Sequence, residues 1–99
     1  MSKDRLKELR KLVPLGLREA RKRSSLTESK AAAEIGISKQ ALQKHEEGCN
    51  LSQLDVFLRE LAVYGLDFAS FHQLLFEVKM VQRIEALKED VRALIEQPQ

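Results

Sequence analysis

The sequence predicts an all-α fold: about five helices, the last of them long, behind a short N-terminal helical extension. Three observations predict it. Apolar residues recur at helical spacing with no sustained period-two alternation, the only prolines are Pro14 and Pro98, and the four glycines (Gly16, Gly36, Gly48, Gly65) stand singly. Ninety-nine residues allow one hydrophobic core. The expected organisation is an N-terminal helical extension over 1–13, a body over 14–75 and a C-terminal helix over 76–99.

Leu6, Leu9 and Val13 mark one face of an opening helix, which Pro14 is expected to end or re-aim because proline fixes φ and lacks an N–H. A second helix over about residues 15–23 stops at Ser24-Ser25. Thr27 is the next N-cap, with Glu28 in the first turn where the helix dipole favours an anion, and Ala31, Ala32 and Ile35 form a small close-packing face. Gly36 stands where a left-handed C-terminal residue is expected, and Ser38 caps the helix KQALQKHEE, which ends at Gly48. At about 100° per residue, Ala41, Leu42 and His45 fall inward, while Lys39, Gln40, Gln43, Lys44 and Glu47 fall outward. Ser52 is expected to cap a helix carrying Leu54, Phe57, Leu58, Leu61 and Ala62 inward, and Asp67 to cap the last one. From Asp67 to Gln97 there is no glycine or proline, so this stretch can run as a single helix of up to ~45 Å.

Met80, Ile84, Leu87, Val91 and Leu94 recur at spacings of four, three, four and three, the 3.5-residue period of a coiled-coil seam. They are the expected dimer interface; a helix packed onto its own domain is the alternative. With Ile84 and Val91 at a and Leu87 and Leu94 at d, the branching suits a parallel pair. The charges disagree: Arg83 at g faces Lys88 at e in a parallel pair, but Asp90 in an antiparallel one centred near Leu87. Both orientations stay open.

Composition narrows the partner. A 43% hydrophobic, 32% charged chain is too apolar for wholesale disorder, no apolar run approaches the ~18–20 residues that span a bilayer, and the start MSKDRLKELRKL lacks the apolar core of a signal peptide. A cytoplasmic protein is expected, and the single cysteine, Cys49, agrees with a reducing compartment. Four Phe and one Tyr are few for the stacking platforms of single-strand and RNA binders, which leaves duplex DNA open. The net charge of +2 is an average of unlike halves: residues 1–50 carry twelve Lys and Arg against seven Asp and Glu, a balance of +5, and residues 51–99 carry −3.

The ordered set Arg21, Leu26-Thr27, Ala32, Gly36-Ile37-Ser38, Leu42, Glu46 and Gly48 spaces a capped helix, a glycine turn and a second capped helix. The run LREARKRSSLTESKAAAEIGISKQALQKHEEG, followed by LSQLDVFLRELAVYGLDF, resembles the Xre-type, lambda-repressor-like helix-turn-helix DNA-binding domain over about residues 14–75. The resemblance implies that Lys39, Gln40, Gln43 and Lys44 read base edges in the major groove, where Gln suits adenine and Lys guanine. It implies phosphate contacts from Ser29, Lys30 and Ser38, with Arg18, Lys22 and Arg23 as further candidates. It assigns Arg21 and Glu46 to a partly buried structural ion pair. At Glu28 the chain departs from the pattern, since many members place Gln there to bond a phosphate that a carboxylate would repel.

Enzymatic chemistry has little to stand on. His45 and Cys49 have ligand spacing, but Gly48 interrupts their helix and no nearby second Cys or His completes a tetrahedral site, so no metal or other cofactor is expected. His45 reads as a core or interface histidine, and His72 has no nucleophile beside it. The expected function is therefore a homodimeric regulator of transcription, a repressor in its simplest form, binding a palindromic duplex site with half-sites about one helical turn, ~34 Å, apart. The rival is a protein-interaction module, antitoxin-like or adaptor, whose last helix grips a different partner through Phe71, Leu75 and Val78.

Overall fold

A computed structural model describes residues 2–96 as five helices with no strand among the described residues. They are α1 (Lys3–Arg23), α2 (Glu28–Ile35), α3 (Lys39–Glu47), α4 (Leu54–Val63) and α5 (Phe68–Glu96). The expected end of the last helix at Gln97 and the residue Pro98 lie outside the described residues.

Pro14 does not end the first helix, so the separate extension over 1–13 and the helix over 15–23 are one continuous α1, with Ser2 capping its start through the Arg5 N–H. The proline forfeits one internal hydrogen bond, but its ring is buried and sits against the Gly48 turn at the end of α3, so tertiary packing outweighs the local preference. The boundaries at 13/14 and 75/76 thus fall inside α1 and α5.

Three caps are those that the sequence predicts. Thr27 Oγ1 accepts the Lys30 N–H, Ser38 Oγ the Ala41 N–H and Asp67 Oδ1 the Ser70 N–H. The fourth differs: Ser52 does not cap α4, because its hydroxyl donates at 2.6 Å to Glu60 Oε1, and Gln53 stands at the cap without a side-chain bond. An exposed helix start can take water, whereas a buried carboxyl needs a protein donor.

The core joins Leu12, Leu17 and Ala20 of α1, Ala31, Ala32 and Ile35 of α2, Leu42 of α3, Leu61 and Tyr64 around α4, and Phe71, Leu74 and Leu75 of α5. α3 lies against α1 and α2, α4 against α2, and α5 against α1. Phe57 and Phe71 meet edge to face at 5.4 Å and join α4 to α5. The inward face of α4 is the expected one only at Phe57 and Leu61: Leu54, Leu58 and Ala62 are exposed, and Glu60, with Tyr64 just past the helix end, turns in instead. The helix is rotated to bury a carboxyl and a phenol, which an apolar pattern does not register.

α1 and α5 cross closely at Gly16, where a Cβ would stand 2.5 Å from Leu75 Cδ2 and 3.2 Å from the Phe71 ring. Phe71 and Leu75 are thereby buried, and Val78 packs on the core, so the anchors expected of the rival interaction module are spent within the chain. Ion pairs flank the crossing: Glu8 with Lys79, which holds the Glu8 carboxyl below its ordinary range through that hydrogen bond, and Arg23 with Glu77 at 2.8 Å. Beyond it α5 runs on alone, and every described residue from Met80 to Glu96 is exposed. No described helix is long and apolar enough to cross a membrane.

Gly16→Ala is expected to destabilise the chain. Alanine gains up to ~1 kcal/mol of helix propensity, but overpacking against Leu75 and Phe71 costs about 1–3 kcal/mol. Thermal unfolding should show a Tm lower by several degrees, about 4–8 °C for each net kcal/mol lost in a chain of this size.

Candidate nucleic-acid interface

α2 and α3 are joined by Gly36, Ile37 and Ser38. Gly36 has φ +88°, a left-handed conformation that a side chain resists, and its N–H returns to the Ala32 carbonyl. Arg59 Nη1 donates at 2.9 Å to the Ile35 carbonyl and closes the end of α2 from α4. This cap joins residues 24 apart, and no local pattern around Arg59 announces it.

With the turn held, α3 presents two faces. Leu42, fully buried, and Glu46 face the core, while Lys39, Gln40, Lys44 and Glu47 are exposed. Gln43 is half-buried on the shoulder, in a shallow depression shared with Arg18, Glu28, Glu46 and Glu47. The four expected base readers are therefore together on one helix, though Gln43 is less free than its neighbours. The N-terminal half of the face is basic or neutral and the C-terminal end carries Glu47.

Ser29 and Lys30 are exposed in the first turn of α2, and Ser38 is exposed at the start of α3. As a cap, the Ser38 oxygen accepts a hydrogen bond, which leaves its O–H to donate outward. Arg18 joins the set through the depression beside Gln43. Arg23 does not join it: its Nε pairs with Glu19 at 3.2 Å and its Nη1 with Glu77 at 2.8 Å, and those hydrogen bonds raise its pKa. Lys22 is exposed but lines the groove between α1 and α5. Glu28 is half-buried, its Oε2 is buried without a hydrogen-bond partner, and its charge acts on Arg21.

Arg21 and Glu46 hold α3 to α1. Arg21 Nε donates to Glu46 Oε2 at 2.8 Å and Nη2 to Oε1 at 3.1 Å, while Nη1 donates to the Leu26 carbonyl at 3.0 Å. Each residue is 8% exposed. The bond to Glu46 raises the Arg21 pKa above its ordinary value despite desolvation.

A second buried carboxyl lies behind α3. Glu60 is fully buried, with Oε1 2.6 Å from Ser52 Oγ and 3.5 Å from His45 Nδ1. His45 is thus an interface histidine between α3 and α4. Burial pushes the Glu60 carboxyl above its usual range, opposed by the Ser52 hydroxyl and His45, while the Glu46 charge raises it further. Burial likewise pushes the Tyr64 phenol upward. Nothing in the apolar spacing of α4 points to Glu60; its partner Ser52 was legible only as a helix cap. Cys49 is exposed, and among the described residues no three His, Cys, Asp or Glu side chains gather at metal-binding distance.

Truncating Glu46 to Ala strands the Arg21 charge and is expected to lower the unfolding free energy by about 3–5 kcal/mol in denaturant titrations, more than replacing Arg21 and Glu46 together by apolar residues. Glu60 predicts a pH dependence. Its folded pKa is raised, so its stabilising contribution is complete below the unfolded carboxylate value of about 4.3 and is lost as pH rises through the folded value. Glu60→Gln, neutral throughout, should therefore gain Tm relative to the native chain as pH rises from about 4 to 7; a constant difference would remove this assignment.

Compared with known proteins, the chain matches no family model, no curated protein and no solved structure.

Proposed function

We propose that this chain is a sequence-specific double-stranded DNA-binding regulator of transcription, a repressor in its simplest form, built on a lambda-repressor-like helix-turn-helix and acting as a homodimer on a palindromic site. The observation that carries the reading is the face of α3: Lys39, Gln40 and Lys44 stand exposed with Gln43 beside them on a helix pinned from behind by Leu42 and the Arg21–Glu46 pair. A rigidly held helix with long donors outward suits base edges in a major groove, because readout needs side chains whose backbone does not move.

The proposed division of labour follows the geometry. Lys39 and Gln40, with Gln43 and Lys44 behind them, reach base edges from the N-terminal half of α3. Ser29, Lys30, Ser38 and Arg18 flank them and take phosphates, which set register without conveying sequence. The +5 balance of residues 1–50 supplies attraction, and its modest size leaves discrimination to placed contacts. No catalytic group or cofactor is assigned.

Selection from random duplex DNA should return a short symmetric site. Gln43→Ala combined with Lys44→Ala should abolish sequence preference while the circular dichroism spectrum is unchanged. Lys30→Ala should weaken all sequences alike and reduce the slope of log affinity against log salt by about one. Recovery of no duplex, or unaltered preference in the double variant, would overturn the reading.

A further inference from the structure

We infer that two copies of α5 pair antiparallel, with the dyad passing between residues 85 and 86, a geometry that rests on the homodimer of the reading above and specifies how it is built.

α5 has two apolar faces on opposite sides. Phe71, Leu74, Leu75 and Val78 face the chain's own core, whereas Met80, Ile84, Leu87, Val91 and Leu94 lie roughly 160° around the helix and are 38–70% exposed. The second face is exposed along its whole length, and the helix that carries it runs on from Met80 to Glu96 for more than four turns. An isolated helix of about 16 residues is marginal in water. Its internal ion pairs, Glu85–Lys88 at 3.8 Å and Glu89–Arg92 at 3.6 Å, are exposed and contribute little. An apolar seam at 3.5-residue spacing on such a helix calls for a second helix with the same period.

Self-complementarity identifies that helix. The exposed stripe runs from Phe76 to Ile95, whose midpoint lies between residues 85 and 86. Folding the stripe about that point sets Ile84 against the partner's Leu87 and Met80 against the partner's Val91, so each layer joins an a position to a d position. In an antiparallel pair the g positions share one side of the seam and the e positions the other, so Arg83 at g lies nearest the partner's Asp90 at g, two residues off its own level, twice by symmetry. Lys88 at e falls beside the partner's Val81, over which its aliphatic stem can lie.

In-register parallel pairing fails on charge: Arg83 then faces the partner's Lys88 twice. The β-branched a positions that suit a parallel dimer are equally served by the mixed antiparallel layers. Specificity between two apolar pairings of similar area is decided by such charge contacts.

Sedimentation of the full chain without DNA tests this. The native protein should be a dimer. Arg83→Glu should raise the dimer Kd roughly tenfold or more, because two attractive pairs become two repulsive ones, and should do so less at high salt. Asp90→Arg should do the same, and the two exchanges combined should restore the Kd to within a few-fold of native. A parallel seam predicts the reverse: Arg83→Glu tightens the dimer and Asp90→Arg leaves it unchanged, and either result overturns the antiparallel geometry while the homodimer stands. A native monomer at tens of micromolar overturns the seam itself, while the duplex selection separately decides DNA binding.

Discussion

The buried contact between Arg21 and Glu46 is the constraint on which the rest of the site depends. It joins residues 25 apart, from the last turn of α1 to the last turn of α3, and through the Leu26 carbonyl it also fixes the loop that launches α2. Buried ion pairs are poor sources of net stability, because desolvation consumes most of the Coulomb gain. Their value is geometric: a bidentate guanidinium–carboxylate contact admits one orientation, and α3 is thereby set at one angle to α1.

Behind α3 a second polar cluster repeats the logic. Glu60, Ser52 and His45 place a carboxyl between α3 and α4 where an apolar side chain would pack more cheaply. One cluster bonds α3 to α1, the other brings His45 of α3 within 3.5 Å of Glu60 of α4, and Leu42 is fully buried in the core. The outward residues are then free to be polar, since none of them is needed for packing.

α5 couples this body to its surroundings through a change of face. Its first half completes the core at the Gly16 crossing, and its second half carries an apolar stripe directed the other way. The two halves obey different rules, one set by jigsaw packing and the other by a 3.5-residue repeat matched to a like helix. The opposing charges of the two halves of the chain fit the same division, with bases beside the proposed reading face and acids interleaved along the projecting helix.

The sequence by itself determined the helical class, the caps at Thr27, Ser38 and Asp67, the left-handed turn at Gly36 and the outward set on α3, because each depends on a few neighbouring residues and on helical period. It also placed Arg21 and Glu46 together, through the spacing of a resembled pattern. Only the tertiary structure decided the rest. Pro14 stays inside α1 because burial against the Gly48 turn outweighs its local cost, and Ser52 leaves its cap because Glu60 is buried within reach. α4 is rotated partly off its apolar stripe, and Arg23 is drawn from the proposed interface by Glu19 and Glu77. Each of these outcomes is a competition between a local preference, from about 1 kcal/mol for a cap to about 3 kcal/mol for a helical proline, and a contact across the fold that outweighs it, and such a contact has no signature in adjacent residues.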